Sequence, residues 1–311
     1  MLNTQGITNH IVPMMVDGMN LSLLFPGKIF FVNNSTLAGY NALGGSDANK
    51  GNFKQPFATI AEALSLCVAG RGDVIALMPG HVETLAATLT VSTANVCILG
   101  LNSGANRGSI NITATGATIA LAAAGCALVN VLVTGGITSI TSCVTVSAAN
   151  CLLHANEIRD VTGQMLVGVT TTAAADYLYI NQHVHNGSTS AGSTHAIKIV
   201  GGNRIQINAQ YIDGNFSTGG IGISTTATTN ILVHDVKYFR QRNAADIFIV
   251  DTVTGSTGQI GPNINIRLSA NAANITEAIT GATFHVFDPV NVVNLAGEKA
   301  MLINWTASLD A

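Results

Sequence analysis

The sequence predicts an all-β chain wound as a parallel β-helix, with a short helix closing its N-terminal end. Three observations carry this. Apolar residues recur in columns with a period of about 27 residues, within the range of solenoid repeats. Each repeat alternates apolar and small polar residues, the period-2 mark of a strand buried on one face. Charged residues are only 9% of the 311-residue chain, so much of the surface is uncharged Thr, Ser, Asn and Gly.

The columns come first because a missed repeat mis-assigns a whole fold. A short alternating strand, a few small residues, a marker Asn, Asp or Gly, and a second strand recur in 143–158, 196–212 and 220–239. The markers are Asn95, Gly125, Asn150, Asp176, Asn203, Asn230 and Asn263. Two residues after them stand Ala127, Leu152, Leu178, Ile205 and Leu232. Four after stand Leu99, Val129, His154, Ile180, Ile207 and His234, and five after stand Gly100, Asn130, Ala155, Asn181, Asn208 and Asp235. Eight after stand Val133, Ile158, Val184, Tyr211 and Tyr238. The polar column suits a corner, because Asn accepts left-handed backbone and caps turns. Leu152, Leu178, Ile205 and Leu232 are expected to stack in the core. About eight coils at strand spacing would make a rod of roughly 40 Å. A β-sandwich would need hairpin turns every 8–12 residues or so, which the columns do not offer.

The ends read differently. Residues 1–50 show no repeat and form an expected arm. Residues 56–69 read as a helix, with Ile60, Ala63, Leu64, Cys67 and Val68 at helical spacing, placed to cover the open solenoid end. A strand from Asp73 to Met78 closes at Pro79-Gly80. The β-helix is expected over 51–285, and 286–311 is a C-terminal extension holding Trp305.

Composition excludes several functions. Thirteen Lys and Arg against sixteen Asp and Glu give a net charge of −3 and no basic patch, so no nucleic acid is expected. No apolar run reaches the ~18 residues of a membrane helix. The first 25 residues hold no Lys or Arg, and no secretory signal is expected. Cys67, Cys97, Cys126, Cys143 and Cys151 are odd in number, sit among aliphatic residues and form no CxxC pair, so they read as buried free thiols.

The segment 51–85 resembles the entry segment of right-handed parallel β-helix proteins of the pectin-lyase-like superfamily. The matching residues are Pro56-Phe57-Ala58-Thr59-Ile60, Gly72-Asp73-Val74-Ile75 and Pro79-Gly80. The resemblance covers roughly 51–285 and implies a right-handed helix, but the fold hosts lyases, hydrolases, tailspikes and virion proteins alike. Phe30-Phe31-Val32-Asn33-Asn34, the turn Pro79-Gly80-His81 with Glu83-Thr84, and the Ala/Thr-rich coils are similar to structural proteins of tailed bacteriophages, including capsid decoration proteins.

The chemistry of β-helix enzymes is sparse here. The hydrolase-type Asn-Thr-Asp, Asp-Asp and Gly-His-Gly segments are absent, and no two acids are adjacent in sequence. Ten residues after the markers stand Asp160, Asn186, Asp213 and Arg240. Asp160 and Asp213 are the weak catalytic candidates, two coils and about 10 Å apart, at the edge of the carboxylate spacing of inverting glycosidases. A polar ladder with Asp213 paired to Arg240 is the simpler expectation. His183 and His185 could bind a metal with His195, but without an acid or Cys they read as a solvated face. His154 and His234 read as corner histidines, and His81 with Glu83 as a turn hydrogen bond. Gly201-Gly202 and Gly219-Gly220 precede strands, so no phosphate cradle is expected. No cofactor and no metal are expected.

The leading expectation is a non-enzymatic virion protein that decorates and stabilises a phage head, located on the capsid surface with the major capsid protein as partner. The likeness to phage β-helices implies a homotrimer. Met14, Met15, Met19, Leu23, Leu24 and Phe25, with Leu21, are the capsid-attachment candidates in the arm. The alternatives are a tail fibre or tailspike that binds or cleaves host polysaccharide, with Tyr177, Tyr179, Tyr238 and Phe239 as aromatic contacts, and a cellular β-helix lyase or hydrolase.

Overall fold

The computed structural model describes residues 27–160, 162–242 and 247–267, together with the backbone of short strands at 15–16, 19–20, 279–280, 283–286, 290–293 and 299–300. The parallel β-helix is present, with three strand positions per coil. Strands at the third position form an eight-stranded sheet running from Leu89–Val91 to Ile279–Thr280. The first and second positions belong to one 18-stranded sheet, because Tyr179–Asn186 and Gln206–Gly214 turn the corner between them as single long strands. Every pairing between successive coils is parallel, so each coil buries its apolar side only through its neighbours.

The core is a set of ladders running along the rod. In the first position Ile75, Ile98, Leu128, Leu153, Ile180, Ile207, Val233 and Ile260 pair in register and are all buried. In the second position Val133, Ile158, His185, Ile212, Phe239 and Ile266 do the same. The corner before the first position is left-handed at Asn95, Gly125, Asn150, Tyr177, Arg204 and Asn230. The corner after it is left-handed at Asn130, Ala155, Gln182 and Asp235.

These ladders correct the expected columns by one residue in two coils. Asp176 and Asn203 are not the corner residues; Tyr177 and Arg204 are. Asp176 and Asn203 stand one position earlier and cap the corner. The Asn203 N–H donates to Asp176 Oδ1 at 2.7 Å, and Asn203 Oδ1 accepts from Asn230 Nδ2 at 2.9 Å. Leu178 and Ile205 are buried as expected, but Leu152 and Leu232 lie in the outward column with Tyr179 and Gln206 and are half-buried. Val184, Tyr211 and Tyr238 likewise fall outside the core. A one-residue slip exchanges the two faces of a strand. Leu178→Ala is therefore expected to destabilise by about 2–5 kcal/mol and Leu152→Ala by well under half of that, read by chemical denaturation of each variant.

The capping helix is shorter than 56–69. It spans Ile60–Ser65, and the Thr59 side chain at its N-cap accepts from the Glu62 N–H at 3.2 Å. Ile60 and Ala63 enter the core. Phe57 instead makes an isolated parallel bridge to Val32, so the chain touches the sheet before the helix begins. The chain leaves the helix because buried Asp73 captures the Val68 N–H at 2.8 Å while also holding the Lys28 N–H at 2.8 Å and the Arg71 guanidinium. Leu66 and Val68 are consequently exposed.

Two boundaries move. Ile29–Val32 pairs in parallel with Val74–Leu77, so the solenoid begins inside the expected 1–50 arm. Parallel pairing also reaches Val290–Val293, past residue 285. Met14, Leu21, Leu23, Leu24, Phe25 and Trp305 lie outside the described residues; Met15 and Met19 belong to a two-residue antiparallel pairing known by its backbone alone.

Candidate functional site

Strand alternation directs one column of the second position outward: Thr84, Asn111, Thr134, Arg159, Asn186, Asp213, Arg240 and Arg267, each in register with the next. The column beside it holds Glu157, Val184 and Tyr211. Three ion pairs of the described solenoid gather here. Arg107, Glu157 and Arg242 join it without having been expected; only the alternation Glu157-Ile158-Arg159 hinted at a charged outward face.

Glu157 is nearly buried and fully engaged. Its Oε2 accepts from the Arg107 guanidinium, and its Oε1 accepts from Arg159 at 2.7 Å and from Asn186 Nδ2 at 2.8 Å. Burial pushes the carboxyl pKa up, but the bonds from Asn186 and Arg159 and the Arg107 charge outweigh it, holding the group below the usual carboxylate range. Glu157 is thus an anion that anchors three coils, and a poor proton donor at neutral pH.

Asp213 is buried beneath Arg242, which donates to Oδ1 at 2.5 Å and to Oδ2 at 2.6 Å. The Tyr211 hydroxyl adds a bond to Oδ2 at 2.8 Å. This corrects the expected partner: Arg240 is in register with Asp213, but Arg242 takes both oxygens. Burial, together with the Asp213 bond, pushes the Tyr211 phenol up to about 12, so it is no base near neutrality. Its ring stacks on Tyr238 with centroids 4.9 Å apart.

Asp160 is one residue out of that register and turns into a loop. It accepts from the Gln164 N–H at 2.8 Å and from Ser193 Oγ at 3.1 Å. Asp160 and Asp213 therefore serve two separate sets of partners rather than facing each other across a common gap.

The histidines His81, His154, His183, His185, His195 and His234 occupy four different settings. His183 and His185 are not on a solvated face; both point into the core, and none of their four ring nitrogens has a hydrogen-bond partner. Their rings lie 6.3 Å apart, and His185 packs 5.4 Å from Phe216. Burial drives the pKa of His183 down to about 4, and that of His185 to about 3 with His183 adding to it. His195 sits apart, its Nε2 occupying the space where a Cβ at Gly222 would fall. Among the described residues no three His, Cys, Asp or Glu side chains come together as a metal site.

His81 is fully buried and does more than close a turn. Its Nδ1 accepts from the Asn34 N–H at 3.0 Å, so the proton is on Nε2, which donates to Glu83 Oε2 at 3.1 Å. Glu83 also accepts from the Ile60 N–H at 3.2 Å, tying the helix start to the first coil. On the outer side of the first position His154 meets Asn181 Nδ2 at 3.0 Å. His234 accepts from Gln206 at 2.7 Å and donates from Nδ1 to Asp235 at 2.6 Å. Of the aromatic contacts expected outside, Tyr177 is exposed, with Arg204 over its ring at 5.3 Å, and Tyr179 and Tyr238 are half-buried. Phe239 is a core residue.

All five cysteines are free. Burial pushes the thiol pKa up to about 12 in Cys67 and Cys97 and about 11 in Cys151, and raises it in Cys126 and Cys143. Thiols so raised are not nucleophiles near neutral pH. No helix among the described residues is long and apolar enough to cross a membrane.

No protein-family model matches the chain, and no curated protein matches it. One solved structure, a rhamnogalacturonan lyase, is similar over 89% of this chain and 90% of its own at 14% identity, with a TM-score of 0.38. At that score the likeness carries no argument about activity.

Proposed function

We propose that the chain is a non-catalytic structural protein of a tailed-phage virion, most simply a capsid decoration protein that adheres to the head. The observation that carries this reading is the state of the outward acids. Glu157, Asp213 and Asp160 each lock coil to coil through Arg, Tyr, Ser or backbone donors, the pattern of a scaffold rather than of an acid–base pair. The resemblance of the entry segment and the Ala/Thr-rich coils to phage structural proteins supports the same role. Adhesion to an assembled shell stabilises it by mass action, because the decorator prefers the assembled state. The apolar arm before residue 27 is the proposed attachment segment, and three-fold association is the proposed assembly.

Deleting residues 1–27 is the direct test. The decoration reading expects a folded rod by circular dichroism and gel filtration that no longer joins capsids in a particle-binding assay. A truncated rod that still decorates at full occupancy removes the arm from the mechanism.

The second reading is a tail protein that binds or cleaves host polysaccharide. The Tyr211–Tyr238 stack beside Arg240 favours it, since aromatic and arginine side chains on one face suit a sugar chain. A glycan turnover assay on the wild type and Asp213→Asn separates the two: turnover lost in the variant establishes the second reading, and its absence across host glycans leaves the first.

A further inference from the structure

Two arginines on the outward column stand in register, and among the described residues the one acid beside them is already held by other partners. Arg240 pairs with Arg267 on the next coil, and strand spacing puts their Cα atoms about 4.8 Å apart. Like charges directly opposite each other destabilise a sheet. One coil before Arg240 the acid in register is Asp213, whose two oxygens are already held by Arg242 and Tyr211. One coil after Arg267 the residue in register is Val293. Among the described residues the side chain of neither Arg240 nor Arg267 has an ion pair or hydrogen-bond partner, in a chain with only thirteen cations in all. Tyr238 flanks Arg240, and exposed Lys237 precedes it, adding charge of the same sign.

We propose that Arg240 and Arg267 form an oxyanion site, the two guanidinium groups closing on one phosphate, sulfate or carboxylate group of a ligand. A guanidinium presents its N–H donors in a planar fork that matches two oxygens of such a group. Two forks on adjacent coils offer an anion four donors, and the anion removes the repulsion between them. Arg242 stays with Asp213 and leaves the two forks to the anion. The site does not rest on the virion reading: it is a property of this column whatever particle or partner the chain joins.

The test follows the arginine Nε–Hε resonances of the full chain by NMR during titration with inorganic phosphate, sulfate or glutarate at matched ionic strength. Saturable shifts at Arg240 and Arg267, with Arg204 over its tyrosine unmoved, are expected. Shifts with phosphate and sulfate alone assign a tetrahedral anion, and shifts with glutarate alone assign a carboxylate. Arg240→Gln and Arg267→Gln should each weaken the binding by about tenfold or more. In chloride buffer both variants should melt no lower than the wild type, because each relieves a like-charge contact. Linear, unsaturable shifts shared by Arg204 overturn the site, as does unchanged affinity in the double variant. A lowered melting temperature in both variants would show that the arginines are already paired, and overturns it equally.

Discussion

Acidifying the protein from pH 7.5 to pH 5 is expected to cost about 2 kcal/mol for each of His183 and His185, enough together to bring a marginal fold near its midpoint. The sign follows from burial. Both rings have folded pKa values below the ordinary 6.5, about 4 and about 3, so between those values and 6.5 the unfolded chain binds more protons. Stability is therefore complete above the unfolded value and falls as the pH drops towards the folded ones. Among the described residues no acid shares the pair's surroundings: Asn156 and Ala209 flank His183 along the rod, Ile158 and Ile212 flank His185, and Phe216 closes the side. A proton arriving there has no counter-charge. Urea unfolding across this range should show the loss, and a His183→Leu/His185→Leu double variant should show little of it. A wild type equally stable at pH 5 and pH 7.5 would mean that the rings are paired in solution. Carboxylates held low, such as Glu157 and Asp73, act in a separate and more acidic window.

Removing Glu157 is the second large effect. Glu157→Ala leaves Arg107 buried beside Arg159 with no carboxylate between them, and such a half-broken buried pair costs about 3–5 kcal/mol. The expected result is a fall of that size in unfolding free energy. The double variant Arg107→Met/Glu157→Leu should recover most of it, since apolar replacement of a whole buried pair is close to neutral. Comparable losses in both variants would show that packing, and not the stranded charge, sets the cost.

The fold was legible because a coil repeats the same packing problem. Each turn must place an aliphatic residue inward and accept a left-handed corner before its first strand, and Asn95, Asn150 and Asn230 mark that corner in the sequence. Where Tyr177 and Arg204 take the corner the mark disappears, because an outward-pointing side chain there is free to be large. The eye then moves to Asp176 and Asn203, and the register slips by one. That slip placed His183 and His185 on the surface when they belong in the core. The acid cluster was less legible for a different reason. Arg107 meets Glu157 from 50 residues away and Arg242 meets Asp213 from 29 away, so the pairings exist only once coils are stacked. No local pattern distinguishes Arg242 from Arg240 as the partner of Asp213.

The stacking of parallel strands also has a mechanical consequence. The hydrogen bonds between coils run along the rod, so a pull on its two ends loads the interfaces in series, like links of a chain, and each carries the full force. The link with the fewest regular bonds yields first. The contact between Tyr179–Asn186 and Gln206–Gly214 is not that link, for it keeps six paired positions although its register breaks on both sides of His183. Among the described strands the link is thinnest where Phe239–Gln241 and Ile249–Asp251 each keep two paired positions with the next coil. The tensile strength of the rod is thus set towards its C-terminal coils, two coils beyond the one that holds the unpaired imidazoles.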